Sequence, residues 1–140
     1  MLNPYLNFRT DARAALEFYE TVFGGEATIS SFRDYGMEDV PDAERDLVMH
    51  GQLTTAGGFT IMASDVPSHM EYVAGENNFS VSLSGGDDDD AQLRSYWLKL
   101  SEGAEIQEPL ATAPWGDTFG MLKDKFGINW LVNISGAAAA

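Results

Sequence analysis

The sequence contains no cysteine, which excludes disulfides, thiolate metal sites and cysteine nucleophiles and fits a reducing cytoplasm. No apolar run approaches the roughly 20 residues that a membrane-spanning helix needs. The opening Met1-Leu2-Asn3-Pro4 carries neither a basic stretch nor an apolar core, so no signal peptide is expected. Without secretion, the Asn78-Phe79-Ser80 sequon has no glycosylation meaning. Basic residues are scarce: 8 Lys and Arg stand against 22 Asp and Glu, a formal net charge of −14. Such a surface repels phosphate backbones, so neither nucleic acid nor a membrane is an expected partner. The same acidic excess attracts cationic small molecules and raises solubility.

What is present suffices for a packed interior. Of 140 residues, 44% are hydrophobic, with 8 Phe and 3 Trp, enough for one domain or two small halves sharing a core. Leu2 to Phe8 alternates, with Pro4, Leu6 and Phe8 on one face and Asn3, Tyr5 and Asn7 on the other, and reads as a strand. Thr10 or Asp11 caps a helix whose Ala12, Ala15, Leu16, Tyr19, Val22 and Phe23 share one side, stopped by Gly24-Gly25. Ala27–Phe32, Leu47–Thr55 and Phe59–Ser64 read as strands, the last two joined by a turn at Gly57-Gly58. Arg33 to Asp46 is polar and interrupted by Gly36 and Pro41, a loop that suits a lid.

The order then repeats. Phe79–Ser84 is a strand, the aspartates at 87–90 open a helix carrying Leu93, Trp97 and Leu100, and 106–110, 118–122 and 128–134 are strands. The aspartate run lacks the interleaved Gly and distant Glu of a calcium loop and reads as a solvated helix start. The fold class expected is α+β, two βαβββ modules (about 1–66 and 77–136) in one domain spanning 1–136, followed by an alanine tail at 137–140. Each helix covers one face of its sheet, and the uncovered faces are expected to close on each other or on a second chain around a central cleft.

Particular residues sharpen this pattern. They are Asn3-Pro4-Tyr5-Leu6, Phe18-Tyr19, Phe23-Gly24-Gly25, Met49-His50, Met62-Ala63-Ser64-Asp65, Trp115-Gly116-Asp117, Gly120, Asp124, Phe126-Gly127, Trp130 and Asn133. With them the chain resembles the PhnB-like branch of the vicinal-oxygen-chelate superfamily, which includes glyoxalase I, bleomycin-resistance proteins and extradiol dioxygenases. The resemblance implies a glyoxalase-like fold, a homodimer and, in metal-dependent members, His, Gln or Glu ligands on the first and last strands of each module. Those positions fall here at Asn3 or Pro4, at Met62, at Asn78 or Phe79, and at Leu131, where metal-dependent relatives carry Glu. None offers a carboxylate or imidazole, so no superfamily-type metal and no cofactor is expected.

Several residues remain as candidates for chemistry or binding. His50, on the third strand with Val48, Gln52 and Thr54 on its face, is either a general base or a hydrogen-bonded structural histidine. Asp65 is either a cap for the loop after its strand or a carboxylate at the cleft mouth. His69 lies in an irregular stretch and is expected at the surface. Trp115 either plugs the core or walls a pocket, and Asp117 caps a turn or accepts from a ligand amine. Asp124 to Gly127 is a hairpin turn, and Trp130 belongs to the core. The expected ligand-facing set is Tyr5, Asn7, His50, Met62, Ser64, Trp115, Phe119, Met121 and Leu131, an apolar lining with a few polar groups suited to a flat organic molecule. The expected function is small-molecule binding in a glyoxalase/bleomycin-resistance-like protein. The alternative is a lyase or other enzyme of non-standard mechanism using His50 or a carboxylate such as Asp65 as base.

Overall fold

The computed structural model describes residues 1–136; the alanine tail expected at 137–140 lies outside them. The chain divides into two compact units, Met1–Ala74 and Gly75–Ala140. In the first, β1 (Tyr5–Phe8), α1 (Ala12–Phe23), β2 (Glu26–Ser31), β3 (Val48–Thr54) and β4 (Thr60–Asp65) form a sheet ordered β1-β4-β3-β2 with one helix. In the second, β5 (Val81–Gly85), α2 (Asp90–Leu100), β6 (Glu105–Thr112), β7 (Thr118–Lys123) and β8 (Asn129–Ile134) form the sheet β5-β8-β7-β6. In each unit the first strand runs parallel to the last and the remaining pairs are antiparallel. The fold is therefore α+β, built from two similar βαβββ modules.

Helix α1 forms where small and large apolar residues recur on one side, and it buries Ala12, Ala15, Leu16, Phe18, Tyr19, Val22 and Phe23. Leu6, Phe8, Leu53, Ile61 and Ala63 are buried with them. Each such aliphatic or aromatic side chain contributes about 1.5–3 kcal/mol by leaving water. Gly51 admits Leu16: a Cβ at position 51 would collide with the Leu16 Cδ1 atom. In the second unit Gly120 admits Trp97 in the same way, since a Cβ there would lie 2.8 Å from the indole Cη2. Helix α2 buries Tyr96 beside the expected Leu93, Trp97 and Leu100, and the aspartates at 87–89 form a short 3-10 turn before it.

The two β-turns repeat almost atom for atom. The Thr55 backbone N–H donates to Phe59 O (2.9 Å) and Gly58 N to Thr55 O (3.1 Å), while Asp124 N donates to Ile128 O (2.8 Å) and Gly127 N to Asp124 O (2.9 Å). Gly58 and Gly127 have φ of 92° and 87°, a region that disfavours side chains. A short buried side chain locks each turn: Thr55 Oγ1 accepts from Phe59 N, and Asp124 Oδ1 accepts from Phe126 N and Ile128 N.

Two strand starts and the facing of one residue depart most from the sequence expectation. β1 begins at Tyr5 rather than Leu2, because its ladder with β4 starts at the Tyr5–Met62 pair and Leu2 is fully exposed. β5 begins at Val81 rather than Phe79, where its pairing with Trp130 starts. Val48 does not share the face of His50: Ser30 pairs with His50 but Ser31 pairs with Val48, so Met49 is an extra residue that reverses the alternation. Val48 is consequently buried on the α1 side, near Gly51.

The Arg33–Asp46 segment is a tied loop. It contains a 3-10 turn at Asp42–Glu44 and a buried Val40, and its ends meet through Arg33 N to Arg45 O (2.8 Å) and Arg33 Nε to Asp46 Oδ1 (2.8 Å). Glu44 accepts from both the backbone N–H and the hydroxyl of Ser68. Arg9 holds the chain beyond β4 by donating to the carbonyls of Val66, Pro67 and Met70.

Candidate functional site

Strand alternation sends one set of side chains in each module toward its helix and the other set away from it. In the first unit, the row across the helix-free face reads Tyr5, Met62, Gln52 and Thr28 in direct register. Asn7 and Ser64 form the next pair, and the Ser64 hydroxyl donates to Asn7 Oδ1 at 3.3 Å. The Tyr5 hydroxyl lies 3.3 Å from His50 Nδ1, with ring centroids 5.8 Å apart. When Tyr5 donates to Nδ1, the imidazole carries its proton on Nε2 and presents a hydrogen-bond donor there. Tyr5, Asn7, His50, Met62 and Ser64 thus come together on one surface. Gln52 lies between Thr28 and Met62, on the same alternation that places His50; the sequence reading named its face but not its place in this row.

In the second unit, the corresponding row reads Ser82, Leu131, Met121 and Glu108, and the next reads Ser84, Asn133, Phe119 and Ala111. Met62 and Leu131 hold equivalent positions, each beside the parallel edge strand of its sheet and opposite the third strand. Trp115 sits on the turn before β7 and meets Phe119 edge-on, centroids 5.9 Å apart at 65°. Asp117 anchors this end: Oδ1 accepts from Gly136 N (3.0 Å) and Oδ2 from Asn133 Nδ2 (3.2 Å). Hydrogen bonds from Gly136, Asn133 and Trp115 hold the Asp117 carboxyl below the ordinary range.

Asp65 belongs elsewhere. It shares the α1 side of β4 with Ile61 and Ala63 and is buried, so it is not a carboxylate at a site mouth. Its Oδ1 accepts from Ala12 N (2.9 Å) and its Oδ2 from Val48 N (2.9 Å). It therefore caps the start of α1, where Asp11 makes no side-chain cap bond, rather than the loop after its own strand. Burial raises its pKa against the lowering effect of those two amides. Asp124 has a matching structural duty, adding the buried Trp130 indole N–H (2.8 Å) to its two turn amides.

A superfamily-type metal does not fit the donor set. The equivalent strand positions present a thioether at Met62 and an isobutyl group at Leu131, and the fifth-strand position presents Asn78 or the exposed Phe79. Among the described residues, no three His, Cys, Asp or Glu side chains are grouped to hold a metal ion. No helix among them is long and apolar enough to cross a membrane.

Residues 1–133 match the family described as 3-demethylubiquinone-9 3-methyltransferase. The chain belongs to this family. Among members of known structure, protein PA1353 from Pseudomonas aeruginosa is 31% identical with a TM-score of 0.79, over 97% of this chain and 98% of that one. The PhnB protein from Bacillus cereus, 22% identical, shares the fold with a TM-score of 0.73 over 96% of this chain and 98% of that one. Protein YjdN of Escherichia coli K12 is 24% identical over 95% of this chain and 94% of its own length. A glyoxalase/bleomycin-resistance/dioxygenase domain from a Frankia strain has the same fold at 12% identity, with a TM-score of 0.62 over 98% of this chain and 93% of that one. The likenesses to the PhnB protein and to the glyoxalase/bleomycin-resistance/dioxygenase domain show that the fold is shared with both.

Proposed function

We propose that this protein binds a small organic molecule against a helix-free sheet face, without the metal centre of its metal-dependent relatives. The observation that carries the reading is the composition of each such face: in the first unit Tyr5 and Met62 stand with Asn7, His50 and Ser64, and in the second Phe119, Met121 and Leu131 stand with Asn133. An apolar lining with a few fixed polar groups suits a flat organic ligand, and methionines adapt their shape to it. The donor set at Met62 and Leu131 supports recognition by shape over metal-assisted chemistry. A second copy of the chain is the expected protein partner, since oligomers of one chain close by symmetry, and a reducing cytoplasm is the expected location.

A second reading, as an enzyme of non-standard mechanism, is favoured by one contact, the Tyr5–His50 pair. When the Tyr5 hydroxyl donates to Nδ1, the imidazole is left with Nε2 directed at a ligand, which supports a role for His50 as acid or base. Asp65 does not join it, being spent on backbone amides.

Native mass spectrometry with metal analysis on protein purified directly from cells tests both. The binding reading expects a retained organic molecule, a dimer and substoichiometric metal. A stoichiometric transition metal overturns it. Turnover of the retained molecule that vanishes in His50→Gln establishes the second reading instead.

A further inference from the structure

Trp115 is 62% exposed, whereas Trp97 and Trp130 are buried. Its indole is nonetheless held in place. The turn carrying it is closed by Ala113 N to Asp117 O (2.7 Å) and Gly116 N to Ala113 O (2.9 Å), and the indole sits edge-on against Phe119. Asp117 is equally fixed. Its two oxygens take the Gly136 amide and the Asn133 side chain, the Trp115 side chain donates to it as well, and the approach of Gly136 is so close that a Cβ there would collide with Gly116 O.

Every donor to Asp117 is neutral, so its negative charge is solvated but not cancelled. The ion pairs Arg33–Asp46, Arg45–Asp42 and Arg94–Asp90 do not include it. Two oxygens offer about four acceptor directions, which leaves room for a ligand donor beside the present partners. The basic residue on this strand face, Lys123, lies beyond Met121 and has Glu105 as its cross-strand neighbour.

The Asp117 carboxylate, hydrogen-bonded by the Trp115 side chain, sets a negative charge beside an exposed indole that packs edge-on against Phe119. We propose that Trp115, Phe119 and Asp117 form a recognition subsite for a flat organic cation, such as a protonated aromatic amine or an N-alkylated heteroaromatic ring. The proposal rests on the reading that this face holds a small organic molecule, and it adds the charge of that molecule. The formal net charge of −14 acts in the same direction by concentrating cations near the surface. A neutral ring gains the stacking alone; an anion is repelled.

Calorimetric titration with N-methylquinolinium and with neutral quinoline at about pH 8 tests the charge, and the Trp115 indole N–H signal in NMR locates it. The cation is expected to bind about tenfold more tightly than quinoline. Asp117→Asn is expected to reduce the cation to the affinity of quinoline and leave quinoline unchanged. Asn133 can turn its amide over to satisfy the new side chain, so the fold survives, which an unchanged urea midpoint verifies. Trp115→Ala is expected to weaken both probes. Equal affinity for the two probes, or an equal loss of both in Asp117→Asn, overturns the cation subsite while leaving small-molecule binding intact. Failure of both probes to bind a protein that retains a neutral molecule from cells also overturns the subsite alone. Failure of both probes with no retained molecule overturns the binding reading as well.

Discussion

Removing the Asp65 carboxylate tests the central clasp of the first module. Ala12 N and Val48 N are both directed at it from 2.9 Å, and Asp65 is only 3% exposed. In Asp65→Ala both amides lose their acceptor without water to replace it. Each such group costs about 1–3 kcal/mol, offset in part by relief of the carboxylate's own desolvation, so a net loss of about 3 kcal/mol is expected. For a chain of this length that corresponds to a fall in Tm of about 10 °C. Asp65→Asn keeps one acceptor but turns its NH2 toward the other amide, and a loss of about 1–2 kcal/mol is expected. The pH dependence follows from burial, which raises the native pKa of Asp65 above its unfolded value. Between those two values the native state binds more protons than the unfolded state, so this contribution to stability falls as pH rises. The cost of Asp65→Asn is therefore larger near pH 4 than at pH 7. Urea unfolding of the three proteins across that range measures it. A midpoint for Asp65→Ala within about 0.5 kcal/mol of the parent refutes the clasp, and a cost of Asp65→Asn that grows with pH refutes the assignment of the shift.

Gly120→Ala places a methyl 2.8 Å from the Trp97 ring and 3.0 Å from Leu110 Cα, and a loss of about 1–3 kcal/mol in thermal or urea unfolding is expected. Asp124→Ala strips the acceptor from Phe126 N, Ile128 N and the buried Trp130 indole; about 3 kcal/mol is expected, with altered tryptophan fluorescence. Tyr5→Phe removes an exposed hydroxyl, so the urea midpoint is expected to hold within about 0.5 kcal/mol while the His50 ring-nitrogen NMR signals move; unchanged signals remove the Tyr5–His50 pair from any mechanism.

The duplicated architecture was legible because each module announces itself with the same signals. These are an alternating strand, a helix bounded by Gly24 or Gly103, and two strands joined through a turn ending in Gly58 or Gly127. Alternation also identified the helix-free faces, since Leu6 and Phe8 bury toward α1 and Tyr5 and Asn7 do not. It failed at β3, where Met49 is an extra residue and Val48 changes face; nothing in an apolar pattern marks a bulge whose partner strand is 17 residues away. The duty of Asp65 was hidden for a related reason. The Ala12 amide it caps is distant in the chain, and the local Asx-turn competes for the same sequence signal.

The repeated frame makes the differences between modules informative. Thr55 and Asp124 lock the same turn, but only a carboxylate has the second oxygen needed to reach an indole, and Asp124 thereby fixes Trp130 under the sheet. At the equivalent inner positions Met62 and Leu131 are both apolar, so neither of these positions offers a strong ligand for a hard or borderline cation. Polar groups stand beside these positions instead: a phenol–imidazole pair near Met62 in the first module and a carboxylate beside Trp115 and Phe119 in the second. The turn glycines Gly58 and Gly127 and the core glycines Gly51 and Gly120 recur in both modules because each turn needs positive φ and each helix needs the space, whereas no such constraint holds the flanking polar positions alike.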